Sequence, residues 1–294
     1  MLRTISRTQA FAPRPLVSSI SYRLFSDVST TKGETYTLTK HFLDGSNTSH
    51  IAVYSLNRPE AMNSISKKLL EEFETYINSL AAEGRHQNVT NTRALILSSE
   101  LPKVFCAGAD LKERKSFTDA DTAAFLNKLN GTLDTIQSLH MPTITAIQGF
   151  ALGGGAEISL ATDFRVLSDV AQFGLPETRL AILPGAGGTK RLPKLIGYSR
   201  ALDLVLTGRR VKADEALSLG IANRTGENAL ETALEMAKLI CEGGPIAINA
   251  AKMAVKGQSP EWEIAAYNKV VNSEDKFEAL TAFKEKRKPI FKGR

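Results

Sequence analysis

Apolar residues recur along this chain in two alternating periods. His50-Ile-Ala-Val-Tyr-Ser-Leu56 alternates and is rich in β-branched residues, which predicts a strand ended by Asn57-Arg-Pro59. Leu69, Phe73, Ile77 and Leu80 then share one face of a helix over roughly 64–82. Arg93-Ala-Leu-Ile-Leu97 reads as a buried strand, and Thr143-Ile-Thr-Ala-Ile147, after Pro142, as another. Between them, Ser116-Phe-Thr-Asp119 has the form of a capping box. The helix it opens carries Phe125, Leu129, Leu133 and Ile136 inward. Strands alternating with helices argue for βα units, a parallel sheet and an α/β fold. After about residue 197 the period changes. Helical segments near 199–207, 212–219, 227–242, 246–256, 260–271 and 274–285 follow with little strand signal. Residues 26–48 are polar and predict a linker and a ragged first strand. No internal repeat is visible.

Composition narrows the class. A 43% hydrophobic and 23% charged chain of 294 residues reads as globular. No run approaches the ~20 apolar residues that span a bilayer, so no membrane partner is expected. Of the six net positive charges, four come from Arg3, Arg7, Arg14 and Arg23, in an N-terminal stretch with no acid. The basic balance therefore describes residues 1–25 and not a nucleic-acid-binding face. Arginine, serine and scattered apolar residues without a continuous apolar run are the composition of a mitochondrial presequence. Arg23-Leu-Phe-Ser26 resembles a processing site cut after Phe25, and the expected address is the mitochondrial matrix. The alternative is a tail carrying no address. The two cysteines, Cys106 and Cys241, fit neither a zinc site nor a disulfide framework. Cys106 reads better as a small packed side chain than as a nucleophile.

The chemistry concentrates in three segments. Glu157 follows the glycine run of Gly149-Phe-Ala-Leu-Gly-Gly-Gly-Ala-Glu157. Glu177 closes Phe173-Gly-Leu-Pro-Glu177, on a loop read as extended, just before Leu183-Pro-Gly-Ala-Gly-Gly188. Phe105-Cys-Ala-Gly-Ala-Asp110 lies upstream. Neither glycine run has the spacing or the Lys-Ser/Thr ending of a phosphate loop. What remains is a tight strand-to-helix turn, whose orphan N–H groups can face an oxygen that becomes negative. Two carboxyl groups can act as acid and base on one water. The plainer readings are a helix-dipole glutamate for Glu157, a solvated loop carboxylate for Glu177 and ordinary turns for the glycines. Asp110 is expected to cap a helix starting at Leu111, Lys112 and Glu113 to lie on a solvated face, and Asp163 to be a hydrogen-bonded structural acid. The basic run Lys284-Glu-Lys-Arg-Lys288, with Lys292 and Arg294, is open to three readings: a solvated helix end, a phosphate contact or a nucleic-acid contact.

Taken together, Leu56-Asn-Arg-Pro59 with Asn63, Phe105–Leu111, Ala151–Glu157, Phe173–Glu177, Ile182–Thr189 and Ala282–Arg287 resemble the enoyl-CoA hydratase/isomerase, or crotonase, superfamily over roughly 50–294. Ala109–Arg114 and Glu177–Ile182 look most like its methylglutaconyl-CoA hydratase branch. The resemblance implies a spiral of ββα units over 49–197, then a C-terminal α-helical oligomerisation region over 198–294. It implies an acyl-CoA thioester as substrate, no separate cofactor or metal, and a homotrimer or homohexamer. Glu157 and Glu177 match the two hydratase carboxylates, and the N–H groups of Ala109 and Gly154 match an oxyanion hole. Ala107, Ala109, Asp110, Leu111 and Lys112 match the adenine-binding loop, and Tyr267 and Lys286 match coenzyme A contacts. Having both glutamates favours hydration. An isomerase or thioester hydrolase on the same scaffold and a non-catalytic CoA- or RNA-binding relative are the alternatives. RNA is not an expected partner, because Ser66-Lys-Lys-Leu-Leu-Glu-Glu-Phe-Glu74 sets three glutamates behind two lysines where the RNA-binding branch is lysine-rich.

Overall fold

The strand runs assemble into two sheets, seen in a computed structural model that describes residues 27–43, 48–86 and 91–294. The presequence reading for 1–25 and its cleavage point lie outside the described residues. β1 (Val28–Lys32), β2 (Tyr36–Phe42) and β3 (His50–Leu56) form an antiparallel meander, followed by α1 (Lys67–His86). A strand–strand–helix unit then recurs. Its first instance is β4 (Thr92–Ser99), β5 (Val104–Cys106), the short α2 (Leu111–Arg114) and α3 (Asp119–Ser138). Its second is β6 (Thr143–Ile147), β7 (Phe150–Leu152) and α4 (Gly154–Ala161). Its third is β8 (Phe164–Ser168), β9 (Gln172–Gly174), a 3-10 turn (Glu177–Leu180), α5 (Gly188–Ile196) and α6 (Tyr198–Thr207). β10 (Arg210–Lys212), α7 (Ala213–Leu219), β11 (Arg224–Gly226) and α8 (Ala229–Cys241) complete the body. α9 (Pro245–Gly257), α10 (Pro260–Val270) and α11 (Glu274–Glu285) end the chain.

The first strand of each unit adds in parallel to a seven-stranded sheet, β1-β2-β3-β4-β6-β8-β11. The second strand adds to a four-stranded sheet, β10-β9-β7-β5. The fold is thus α/β, a spiral of ββα units with a C-terminal helical region. Successive side chains of β3 face two different cores, as the two-residue period of a strand requires. Ala52, Tyr54 and Leu56 pack with Leu69, Phe73 and Ile77 of α1, whereas Ile51 and Val53 join Ala229, Ala233 and Ala237 of α8. Coverage on both faces explains why β3 and β6 are buried throughout. Arg165, fully buried in β8, donates to the carbonyls of Ile221, Ser159 and Thr162 and so ties the end of α4 to the approach to β11.

Several boundaries depart from the sequence reading. α1 starts at Lys67 instead of 64, because Ile65 is committed to a β-bridge with Ala109 and the Ser66 hydroxyl accepts from Leu69 N–H. The capping box is Thr118–Asp121, two residues later than expected. Ser116 instead closes α2 through Glu113 O, while Phe117 turns in to meet the Phe125 ring at 5.8 Å. Glu177 lies in a 3-10 turn and not on an extended loop, since Thr178 Oγ1 and Arg179 Nε anchor that turn to the Val205 and Thr207 carbonyls. Two three-residue strands, β10 and β11, interrupt the stretch read as helical and complete the two sheets.

Candidate active site

The glycine run is a strand-to-helix turn between β7 and α4. Gly153 has φ +52°, a region glycine adopts without a Cβ penalty, and its N–H donates to Gly174 O at 2.9 Å. A Cβ on Gly155 would stand 2.4 Å from Cys106 O, so β5 approaches this turn along its backbone. Gly154 opens α4 and its N–H has no helical carbonyl to reach. Opposite it, Ile65 N–H donates to Gly108 O and Ile65 O accepts from Asp110 N–H. In a parallel bridge those bonds come from the residues flanking Ala109, so the Ala109 N–H points away from Ile65. It lies 3.8 Å from where a Cβ on Gly154 would be. No hydrogen bond among the described residues uses the N–H of Ala109 or of Gly154.

Asn63 and Arg58 hold this arrangement from below. Asn63 is completely buried, at φ +56°. Its Oδ1 accepts from Arg58 N–H at 2.7 Å, and its Nδ2 donates to Ser99 Oγ and Phe105 O. Arg58 in turn pairs with Asp110 at 2.6 Å. The other Asp110 oxygen caps α2 by accepting from Lys112 and Glu113 N–H. Asp110 is therefore the helix cap the sequence predicted. Its hydrogen bonds and the Arg58 charge hold its carboxyl below the usual range, although burial acts the other way.

Glu157 lies in the first turn of α4 and is only 3% exposed. Its Oε1 accepts from Ala186 N–H at 2.7 Å and Gly188 N–H at 2.8 Å, in the second glycine turn. Arg191 fixes that turn. It donates to Ala186 O at 2.7 Å and to Gln137 Oε1 at 2.9 Å, and it pairs with Asp134. Burial raises the Glu157 pKa, while the Gly188 and Ala186 N–H groups and the charges of Arg191 and Arg114 pull it back.

Glu177 faces the same turn under different conditions. It is 9% exposed, and its Oε1 is 3.0 Å from where a Cβ on Gly153 would stand. Its Oε2 is buried and has no hydrogen bond among the described residues. Burial, with the charge of Glu157 adding to it, pushes its pKa up to about 7, against a bond from its own backbone. Two carboxyl groups and two unused N–H groups therefore gather around one glycine turn.

Other predicted positions fall differently. Ala107 and Ala109 are half-buried, while Leu111 and Lys112 stand exposed at the rim. Tyr267 and Lys286 are exposed, on α10 and at the C-cap of α11. Arg287 of the basic run pairs with Glu278 and Glu285. Lys67 and Lys68 of α1 pair with Asp121 and with Glu34 and Glu72. Asp163 accepts from Thr143 and Lys252, as a structural acid does. Cys106 is buried, and burial pushes its thiol up to about 12, so it is a packed side chain. Among the described residues no group of three or more His, Cys, Asp or Glu gathers as a metal set. Sequence reasoning missed Arg58, Arg114 and Arg191. Nothing in their local pattern separates a buried or half-buried guanidinium from a surface one.

The profile of the enoyl-CoA hydratase/isomerase family matches residues 46–294. An enoyl-CoA isomerase/hydratase of Zymoseptoria tritici is 48% identical over 99% of this chain and 97% of its own. Methylglutaconyl-CoA hydratase 1, mitochondrial, of Pyricularia oryzae is 44% identical over 86% of this chain and 85% of its own. The crystal structure of an enoyl-CoA hydratase from Bacillus anthracis superposes with a TM-score of 0.80 at 41% identity, covering 87% of this chain and 99% of that one. The two-sheet spiral with its helical end is the crotonase architecture. This chain belongs to the enoyl-CoA hydratase/isomerase family and is an enzyme of that family.

Proposed function

We propose that this enzyme adds water across the double bond of a 2-enoyl-CoA thioester, giving a 3-hydroxyacyl-CoA. The observation that carries the reading is the contrast between the carboxyl groups. Burial raises the Glu157 pKa on balance, but two N–H donors and two arginine charges favour its ionised form. Glu177 has a bond from its own backbone, but burial and the Glu157 charge push its pKa up to about 7. One is thereby suited to be a base and the other an acid at the same pH.

In this mechanism the thioester oxygen lies between the N–H groups of Ala109 and Gly154. Glu157 takes a proton from water as the water oxygen bonds to Cβ. The π electrons of the double bond move toward Cα and the thioester oxygen, where the two N–H groups stabilise the charge; one such donor is typically worth about 3–4 kcal/mol. Glu177 delivers its proton to Cα. The C=C bond is replaced by one C–O and one C–H bond. A proton then returns from Glu157 to Glu177 through the next water, restoring both groups. The substrate is a short or branched enoyl-CoA, with methylglutaconyl-CoA the foremost candidate. The names of the relatives support this choice. A mitochondrial matrix address and assembly as a trimer or dimer of trimers, without RNA, belong to the same reading. The paired lysines of α1 and a relative named mitochondrial support it.

The test is turnover of crotonyl-, longer enoyl-, methylcrotonyl- and methylglutaconyl-CoA, beside a 3-enoyl-CoA. Loss of the conjugated enoyl absorbance with formation of 3-hydroxyacyl-CoA is the expected result. Conversion of the 3-enoyl to the 2-enoyl thioester without hydration would make the enzyme an isomerase. Release of free CoA alone would make it a hydrolase.

A further inference from the structure

Arg114 ends α2, just beyond the Ala109–Asp110 segment. Its guanidinium lies over the Phe125 ring of α3, 4.6 Å from the centroid. The next residue of α3, Leu126, touches the second glycine turn: a Cβ on Gly185 would meet it at 3.0 Å. Asn130, one turn further along, donates to Gly185 O at 2.8 Å. Arg114 thus stands where α2 and α3 meet the turn that binds Glu157. It feels the charges of Glu157 and Glu113 but hydrogen-bonds neither. Its Nε is buried with no hydrogen-bond partner among the described residues. The neighbouring acids are engaged elsewhere. Glu113 accepts from Lys67 N–H, Asp121 from Thr118, and Asp110 from Arg58.

A guanidinium carries five donors in a fixed fork that matches a carboxylate. Leaving such a donor enclosed and unpaired is costly, which makes it a strong selector for the group that pairs it. The Phe125 ring fixes the plane of the fork before anything binds. We propose that Arg114 determines specificity, receiving a carboxylate borne by the acyl group, so that the preferred enoyl thioester has an acyl chain ending in a carboxylate. The proposal rests on the hydratase reading above. It adds the residue that recognises the far end of the acyl chain. The competing role is electrostatic support of Glu157, which would act on every substrate alike.

The experiment uses the full chain and two probes of similar length, glutaconyl-CoA, which ends in a carboxylate, and 2-pentenoyl-CoA, which is neutral. The wild-type enzyme should favour glutaconyl-CoA in kcat/KM by on the order of a hundredfold. In Arg114→Met that ratio should fall toward unity, and Arg114→Lys, which keeps charge without the fork, should fall between. Inhibition of the wild-type enzyme by saturated glutaryl-CoA against pentanoyl-CoA gives the same comparison without a variant, and the dicarboxylic thioester should bind more tightly. Equal losses on both probes in Arg114→Met, or no preference in the wild-type enzyme while both probes are hydrated, would overturn the assignment and leave the hydratase reading standing. Hydration of neither probe, nor of any enoyl-CoA, would remove both.

Discussion

Glu157 and Glu177 are the same residue type 20 positions apart, and their neighbours give them different surroundings. Replacing either by glutamine should lower kcat by at least about two orders of magnitude, as loss of an acid or base does. If the two act as a unit in the proposed proton transfers, the double variant should be scarcely slower than the poorer single one. Proton exchange at Cα of a saturated acyl-CoA, followed by NMR in D2O, should fall more with Glu177→Gln than with Glu157→Gln. The opposite order would reverse the roles.

The raised pKa of Glu177 also has a sign in stability. Its folded value, about 7, lies above the ordinary 4.5, so the folded state holds this proton more tightly. That contribution is complete below about pH 4.5 and is lost as pH rises through about 7. Glu177→Gln, neutral throughout, should gain about 2–3 kcal/mol more over wild type at pH 8 than at pH 5 in denaturant unfolding. Arg191 acts oppositely on Glu157. Its charge favours the carboxylate, so Arg191→Gln should move the acid limb of the kcat/KM profile to higher pH. A profile unchanged in position but lower in height would mean that Arg191 only holds the fold. The two glutamates were legible in the sequence because each borders special backbone. Arg191 was not, since its importance lies in reaching Ala186, Gln137 and Asp134, which local spacing does not encode.

At the scale of elements, glycines that look alike in sequence answer differently to substitution. Gly155→Ala would drive a Cβ to 2.4 Å from Cys106 O and should cost about 1–3 kcal/mol, read by denaturant unfolding. Gly131, exposed in the middle of α3, has no atom of the described residues within 4 Å of an added Cβ. Gly131→Ala should stabilise by about 0.5–1 kcal/mol in the same measurement. Long elements with strong periods were readable. The seven-residue β3, at His50–Leu56, and the four inward residues of α3 fall where the pattern put them. β10 and β11 were not readable, because three residues cannot establish a two-residue period. The capping box slipped by two because Ser116 and Thr118 are chemically similar, and only the packing of Phe117 on Phe125 decides between them.

For the whole molecule, the last helices leave apolar surface that the other described residues do not cover. Trp262, Ile264 and Tyr267 of α10 and Phe277, Leu280 and Phe283 of α11 are all exposed, Phe283 to 85%. Apolar surface gathered in this way marks an interface more often than a free face. Phe283→Asp should shift the native assembly to a smaller species in analytical ultracentrifugation, with the Glu157 and Glu177 surroundings unaltered. A monomeric wild-type enzyme would remove the proposed trimer.

The spiral also has a consequence in time. Gly108 and Ala109 come from its first turn, Gly153 to Glu157 from the second, and Glu177 with Ala186 and Gly188 from the third. A ribosome delivers these turns in order, at roughly 5–20 residues per second, so roughly 4–16 s separate Gly108 from Gly188. Until Gly188 emerges, the nascent chain has the glycine turn but not the two N–H donors that bind the Glu157 carboxyl group. Chains stalled between Ala161 and Ala186 should therefore carry the N–H pair without the acid–base pair, and no shorter nascent form should be a weak version of the enzyme.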